Sequence, residues 1–162
     1  MLYLVAAMSD NNVIGVDGHL PWRLKKDLAW FRMNTLQGAI IMGRKTWDSL
    51  PTAPLPHRLN IVLTRGECPD DQPHVIWRNT LKEAIVAAAK RTTRVYIIGG
   101  SEIFHMAAHY ACALLITRVH CTVNCMKNTR DIVLPARKTL VWQSAEQQEN
   151  GVRFHFELYI TN

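Results

Sequence analysis

The sequence has few cysteines, no excess of acidic residues and no long apolar run. Only 4 of its 162 residues are cysteine, which excludes a disulfide-rich scaffold and, without an export signal, predicts reduced thiols in the cytoplasm. The apolar segment MLYLVAAM has no basic stretch before it and passes directly into the turn-forming SDNN, so it predicts a buried strand and not a signal peptide. No window is long enough for a membrane span.

The composition is that of a folded globular protein. A hydrophobic content of 48% and a charged content of 20% exclude a disordered or collagen-like chain. Without repeats or linker-like stretches, the sequence predicts one domain over residues 1–162. The net charge of +6 favours an anionic partner, either a phosphorylated small molecule or nucleic acid.

Strand-like apolar runs alternate with segments of helical periodicity. Together they predict an α/β domain with a mostly parallel central sheet, antiparallel C-terminal edge strands and helices on both faces. The predicted strands cover residues 2–8, 39–43, 59–64, 74–77, 94–99, 113–119, 131–134, 139–143 and 152–160, and the predicted helices cover 24–34, 44–50, 80–90 and 101–110. Ligands bind at the carboxyl ends of such strands, which here are followed by loop 9–23 and the turns at Gly43 and Gly99-Gly100.

Asp27 interrupts an apolar helical stripe. Leu24, Leu28 and Phe31 recur at helical spacing, and Asp27 occupies the i+3 position of that face. A buried carboxylate costs several kcal/mol, roughly, unless it is paired or awaits a ligand. The pattern leaves two alternatives: a solvated carboxylate paired with Lys26 or Arg23, or an acceptor for a cationic or amide-like ligand edge.

Three strand ends carry residues suited to phosphate groups. GRKT at 43–46 places amides and cations at the start of a predicted helix, IIGGSEIF at 97–104 has a double glycine between strand and helix, and LTRG at 63–66 sets a hydroxyl beside a guanidinium. GRKT alone is equally typical of a basic helix start on the surface, whereas a double glycine is more commonly a tight turn and a lone Arg65 is usually a surface residue. Histidines at 105 and 109, and the HCxxxC segment at 120–125, lack the partners of a zinc motif, so no metal is expected.

Taken in order, these segments resemble dihydrofolate reductase of the bacterial type over nearly the whole chain. The matching stretches are VIGVDGHLPWRLKKDLAWF, IIMGRKTWDSLPTAPLPHRLNIVLTR, VYIIGGSEIF, LLITRV and DIVLP. The resemblance implies NADPH-dependent reduction of 7,8-dihydrofolate to 5,6,7,8-tetrahydrofolate for one-carbon metabolism. The hydride would be transferred to C6 of dihydrofolate, and N5 would be protonated.

The resemblance also implies a substrate pocket. Asp27 would accept hydrogen bonds from N3 and the 2-amino group of the pterin, Thr117 would orient this carboxylate, and Trp22 would hold a nearby water. Arg58 would bind the glutamate carboxylate of the substrate tail. The implied pocket walls are Val5, Ala6, Leu28, Phe31, Leu50, Leu55 and Ile98.

For NADPH, the resemblance implies a site across the carboxyl edge of the sheet. Different segments would contact the nicotinamide, the pyrophosphate and the 2'-phosphate, and Gly99-Gly100 would be joined by a cis peptide bond. The implied cofactor residues are Ala7, Ile14, Leu20, Gly43, Arg44, Lys45, Thr46, Leu63, Thr64, Arg65, Ile98, Gly99, Gly100, Ser101, Glu102, Ile103 and Phe104.

The resemblance further implies a cytoplasmic monomer that binds antifolate inhibitors and neither nucleic acid nor membrane. Two alternatives are a pteridine- or riboflavin-pathway reductase, which would not need Asp27 and Trp22 in this arrangement, and a basic nucleic-acid-binding module. The chain departs from the family pattern at Ser101, which replaces a third glycine, and at Glu102, which places a negative charge near the expected pyrophosphate.

Overall fold

Eleven strands and four helices form the part of the chain that the computed structural model describes, residues 1–17, 19, 22–124 and 128–162. The strands are β1 (Leu2–Ser9), β2 (Val13–Val16), β3 (Ala39–Gly43), β4 (Leu59–Leu63), β5 (Val75–Arg78), β6 (Val95–Gly99), β7 (Ala113–Val119), β8 (Thr129–Asp131), β9 (Lys138–Gln143), β10 (Gln147–Glu149) and β11 (Val152–Thr161). The helices are α1 (Lys25–Thr35), α2 (Arg44–Ser49), α3 (Leu81–Ala89) and α4 (Ser101–Ala107).

A nine-stranded sheet forms the centre of the molecule, in the order β10-β11-β7-β1-β6-β3-β4-β5, with β9 also paired to β11. Strands β7, β1, β6, β3, β4 and β5 pair in parallel, whereas β11 pairs antiparallel with β7, β9 and β10. This arrangement confirms the predicted fold class. Strands β2 and β8 form a separate antiparallel ladder beside the large sheet.

Both faces of the sheet are covered, as its uninterrupted apolar strands predict. In β3, the residues Ala39 to Met42 are all fully buried. Ala39 and Ile41 pack in the cluster that contains residues of α3 and α4, while Ile40 and Met42 pack on the opposite face against aromatic residues of α1 and α2. A strand between two helical layers cannot expose a polar face, and its sequence contains none.

The helices begin close to their predicted starts, but for different local reasons. Helix α3 starts with a capping box, in which the Thr80 side chain accepts from the Glu83 amide and the Glu83 carboxylate accepts from the Thr80 amide. Helix α1 starts at Lys25 with Leu24 at its N-cap position and no cap from that side chain. The first turn of α1 therefore obtains its hydrogen-bond partners from elsewhere in the fold.

Two predicted elements need correction, and two short strands are not predicted. The strand predicted at 131–134 lies at Thr129–Asp131, where it pairs with β2, and the helix predicted to reach 110 ends at Ala107. Strands β2 and β10 are absent from the prediction because they are short, and their residues are strands only through the partners they meet. None of the described helices combines the length and apolar character needed to cross a membrane.

Candidate active site

A cleft of about 640 Å³ opens at the carboxyl edge of the parallel strands. It lies between the ends of β1, β6 and β7 and the helix α1, which is where an open parallel sheet binds ligands. Sixteen residues predicted for substrate or cofactor line it: Val5, Ala6, Ala7, Ile14, Asp27, Leu28, Phe31, Lys45, Thr46, Leu50, Ile98, Gly99, Gly100, Ser101, Phe104 and Thr117.

Asp27 is the carboxylate at the α1 side of this cleft. It lies in the first turn of α1, and its Oδ1 accepts a hydrogen bond of 2.6 Å from the Thr117 hydroxyl on β7. Neither Lys26 nor Arg23 forms an ion pair with it among the described residues. Of the two alternatives that the sequence leaves open, the geometry favours the acceptor aimed into a pocket.

The surroundings of Asp27 favour its protonated form. Burial in the cleft wall raises the pKa of this carboxyl above its ordinary value of 3.8, the Thr117 hydrogen bond opposes that rise, and repulsion from the Glu149 carboxylate adds to it. A ligand that presents a positive charge or paired N–H groups would give the Asp27 carboxylate hydrogen-bond partners in addition to Thr117. Such a ligand would therefore gain more from this carboxylate than from an exposed one.

The apolar walls of the cleft come from α1 and the strand ends. Val5 and Ala6 are buried in the sheet, Phe31 is half-buried, and Leu28 is 54% exposed. Leu28 is the exposed member of the apolar stripe. Leu28 faces the open cleft, where an apolar ligand surface would cover it.

At the other end of the cleft, two glycine-containing turns come together. Gly99 has φ +115°, the Gly99-Gly100 peptide is cis as expected, and a Cβ added to Gly99 would lie 3.1 Å from the Phe104 ring. A Cβ on Gly43 would lie 3.3 Å from the Ile103 side chain. Because neither glycine has a side chain, both turns can pack closely against these two residues of α4.

Several predicted cofactor residues lie beyond the cleft lining. Arg44 pairs with Asp48 at 2.9 Å and its guanidinium lies over the Trp77 ring at 5.5 Å. Arg65 pairs with Glu102 at 2.7 Å on the surface. The others in this group are Gly43, Leu63, Thr64, Glu102 and Ile103, and Leu20 lies outside the described residues.

Arg58 and Leu55 also lie beyond the cleft lining. Arg58 is buried, donating from Nη1 to the Thr35 hydroxyl at 3.0 Å and from Nε to the Pro56 carbonyl at 3.0 Å. Its guanidinium lies 5.7 Å from the Phe31 ring centre, so it is next to the pocket wall. Burial and the neighbouring Arg32 charge lower its pKa, which an anionic ligand would counteract.

Trp22 lies behind the cleft, not in its lining. It is buried with Phe154 and Phe156, and its Nε1 has no hydrogen-bond partner among the described residues. A buried indole N–H without a protein partner is a place for an ordered water.

The cleft lining also includes Gly15, Asp17 and His19 from loop 9–23, and three residues that the sequence did not indicate: Trp30, Asn128 and Arg130. The Asn128 side chain donates to Asp17 Oδ1 at 2.7 Å, next to the β2–β8 ladder. The long-range pairing of β2 with β8 brings Asn128 and Arg130 to the cleft, whereas Trp30 lies on α1. The HCxxxC segment ends at Cys125, which lies outside the described residues.

Comparison with known proteins identifies relatives over the whole chain. A family model described as dihydrofolate reductase matches residues 1–160. A dihydrofolate reductase of Neisseria meningitidis serogroup B is 35% identical, with 97% of this chain and 96% of that protein covered. A dihydrofolate reductase of Haemophilus influenzae is 41% identical, with 72% of this chain and 70% of that protein covered.

The fold is also that of a solved relative. Dihydrofolate reductase from Enterococcus faecalis, complexed with NADP(H) and RAB-propyl, superimposes with a TM-score of 0.86 at 28% identity. The alignment covers 100% of this chain and 96% of that one.

Proposed function

The chain belongs to the dihydrofolate reductase family and reduces 7,8-dihydrofolate to 5,6,7,8-tetrahydrofolate with NADPH, and we propose that the cleft around Asp27 carries out this reaction. The observation that carries the assignment of the cleft is the Thr117–Asp27 pair. It places one carboxylate, held by a hydroxyl at 2.6 Å, in a wall otherwise made largely of apolar side chains. A pterin edge with adjacent N–H donors fits this acceptor.

Asp27 binds and orients the substrate in this proposal. Its carboxylate accepts hydrogen bonds from N3 and the 2-amino group of the pterin, and its negative charge favours the cationic, N5-protonated ring. Thr117 keeps the acceptor oxygen aimed at the pocket. Because Asp27 binds the far edge of the ring, N5 takes its proton from water admitted by loop 9–23, with Trp22 Nε1 holding a nearby water.

The remaining predicted substrate residues bind the rest of the molecule. Val5, Ala6, Leu50 and Ile98 exclude water around the ring, and Leu28 and Phe31 cover its other face. Arg58, beside Phe31, receives the glutamate carboxylate of the tail, and Leu55 packs next to it. Stacking in an apolar cleft supplies the proximity that the reaction needs.

The residues at the glycine end fit NADPH. Gly99 and Gly43 let the two turns pack closely against α4, Lys45 and Thr46 line the cleft, and neither α2 nor α4 uses a side chain to cap its first amides. These groups, with Gly100 and Ser101, would hold the pyrophosphate, while Ala7 and Ile14 flank the nicotinamide. When bound, NADPH supplies the hydride that reaches C6 of the pterin.

The outer predicted residues complete this site. Arg44 would reach a phosphate, and Thr64 and Arg65 the adenosine 2'-phosphate, while Leu63, Ile103 and Phe104 pack around them. Arg44 and Arg65 are held by Asp48 and Glu102 across ion pairs of 2.9 and 2.7 Å. An incoming phosphate therefore competes with a carboxylate for each guanidinium.

We also propose that the chain acts as a cytoplasmic monomer without nucleic-acid or membrane partners and that it binds antifolates at Asp27. Cys68, Cys112 and Cys121 are free thiols, as is typical of a reducing compartment. Light scattering tests the monomer. Retention on single-stranded nucleic acid that falls with salt would support the basic-module alternative instead.

The assay for the activity follows the loss of NADPH absorbance with dihydrofolate, beside parallel reactions with NADH. We expect turnover that needs dihydrofolate and prefers NADPH. Binding of NADPH without reduction of dihydrofolate would keep the fold and overturn the substrate assignment.

A further inference from the structure

Helix α1, which carries Asp27, receives its N-terminal cap from the other end of the chain. Leu24 at the N-cap position has no side chain that can accept a hydrogen bond. Instead, the Glu149 carboxylate accepts from both first amides, through Oε2 from Lys25 N and through Oε1 from Lys26 N at 3.1 Å. The two segments are 124 positions apart in sequence for the first of these bonds.

A tight hairpin presents Glu149 to the helix. Strands β10 and β11 pair with Glu149 opposite Val152, and the two residues between them, Asn150 and Gly151, have φ +51° and +74°. Positive φ at both positions is what a type I′ turn requires. The Asn150 side chain also donates to the Arg23 carbonyl at 3.3 Å, so the hairpin holds the chain on both sides of Leu24.

Glu149 on the hairpin and Thr117 on β7 both bind the first turn of α1. Strand β11 continues from the hairpin and pairs with β7, where Phe156 is opposite Thr117. Asp27 follows Lys26 directly, and its carboxylate is bonded to Thr117. The backbone just before Asp27 and the side chain of Asp27 are therefore both fixed to the β7–β11 pair.

We infer that Glu149 is a positioning residue for the reductase reaction, which caps α1 and so fixes where the Asp27 carboxylate meets the substrate. This inference rests on the proposed function of Asp27. An anionic group at a helix N-terminus satisfies amides that otherwise have no partner and interacts favourably with the helix dipole. Without it the first turn can fray, and Asp27 lies in that turn.

Glu149 also acts on Asp27 through its charge, because repulsion between the two carboxylates contributes to the raised pKa of Asp27. The cap and the charge can be separated by substitution. Glu149→Gln removes the charge and keeps one acceptor oxygen, whereas Glu149→Ala removes both. Gln148→Ala, at the exposed neighbouring position of β10, is the matched control.

The experiment measures kcat/KM for dihydrofolate against pH, the Kd of NADPH, and the hydrogen exchange of the Lys25 and Lys26 amides in all three variants. We expect kcat/KM to fall about tenfold in Glu149→Ala and about threefold in Glu149→Gln, since misplacing a catalytic group costs rate. We expect the Kd of NADPH to stay within about twofold of its value in the unmodified chain, a much smaller change than the expected losses in kcat/KM. Both charge-removing variants should shift the pH profile towards lower pH, and Gln148→Ala should match the unmodified chain.

Two results would overturn the inference: a Glu149→Ala kcat/KM equal to that of Gln148→Ala, or a loss of NADPH affinity as large as the loss of kcat/KM. If Glu149→Ala does not fold, Glu149→Gln decides by the same comparisons. If the unmodified chain does not reduce dihydrofolate, the proposed function fails. Amide exchange then still tests the cap, since unchanged exchange at Lys25 and Lys26 in Glu149→Gln would overturn it.

Discussion

The Thr117 hydroxyl on β7 donates a hydrogen bond of 2.6 Å to Oδ1 of Asp27 on α1. This bond stabilises the charged form of the carboxyl and opposes the rise in pKa that burial causes. It also fixes one carboxylate oxygen, which leaves Oδ2 and the remaining lone pairs of Oδ1 for a ligand.

Replacing Thr117 with valine removes the donor and keeps the shape. We expect the pKa of Asp27 to rise further, kcat/KM for dihydrofolate to fall about tenfold at neutral pH, and the acid limb of the pH profile to move to higher pH. Thr117→Ser keeps the hydroxyl and should retain most of the activity. Equal losses in the serine and valine variants would contradict the role of the hydrogen bond.

The negative charge on Asp27 should lower the free energy of unfolding of the ligand-free protein. Its pKa in the folded state lies above the ordinary value of 3.8, so between those two values the folded state holds more protons than the unfolded state. Stability therefore falls as the pH rises through that interval and stays lower above it. We expect Asp27→Asn to raise the Tm at neutral pH and the difference to shrink as the pH approaches 3.8.

Thermal unfolding over a pH series checks this prediction. Asp70→Asn, which removes an exposed carboxylate, is the control and should leave the Tm nearly unchanged. A lower Tm for Asp27→Asn at neutral pH would contradict the prediction.

The exposed Arg65–Glu102 pair should weaken the preference for NADPH. Glu102 Oε2 lies 2.7 Å from Nη2 of Arg65. The 2'-phosphate is expected to bind this same guanidinium. Freeing Arg65 by Glu102→Gln should raise the ratio of NADPH to NADH affinity about threefold, the effect of an exposed ion pair. Arg65→Gln should lower that ratio about tenfold. Titration of cofactor fluorescence measures the affinity ratio in both variants. An unchanged ratio in Arg65→Gln would show that the 2'-phosphate binds elsewhere.

Gly99 should tolerate no side chain. Its φ of +115° is unfavourable for any L residue, and an added Cβ would lie 3.1 Å from Phe104. We expect Gly99→Ala to lower the free energy of unfolding by about 2–3 kcal/mol. Gly151 has φ +74°, and a Cβ added there would meet no atom within 4 Å. Gly151→Ala should therefore lower the free energy of unfolding by only about 1 kcal/mol. Urea unfolding measures both, and equal losses would show that the Phe104 contact adds nothing.

Local sequence patterns predict much of this fold and part of the site. The four-residue apolar run in β3 predicts a strand buried on both faces, and all four side chains are fully buried. The helical stripe through Leu24 predicts that Asp27 faces inward, and it lies in the cleft wall. These features follow from periodicity, which depends on neighbouring residues alone.

The remainder depends on partners far apart in sequence. Nothing in the local pattern of QQE indicates that Glu149 caps a helix 124 positions earlier, or that β2 pairs with β8. Leu28 satisfies the apolar period, yet it is 54% exposed because the cleft opens beside it. A periodic pattern identifies an inward face and does not distinguish a packed core from a cavity.

Steady-state and binding measurements on Asp27→Asn test whether this carboxylate serves the reductase reaction. We expect kcat/KM for dihydrofolate to fall by about 10²- to 10³-fold at neutral pH. The Kd of NADPH should stay within about twofold of the unmodified protein, because Asp27 lies at the pterin end of the cleft and Gly99 at the other. Near-normal turnover by Asp27→Asn at neutral pH would contradict the assignment of this carboxylate.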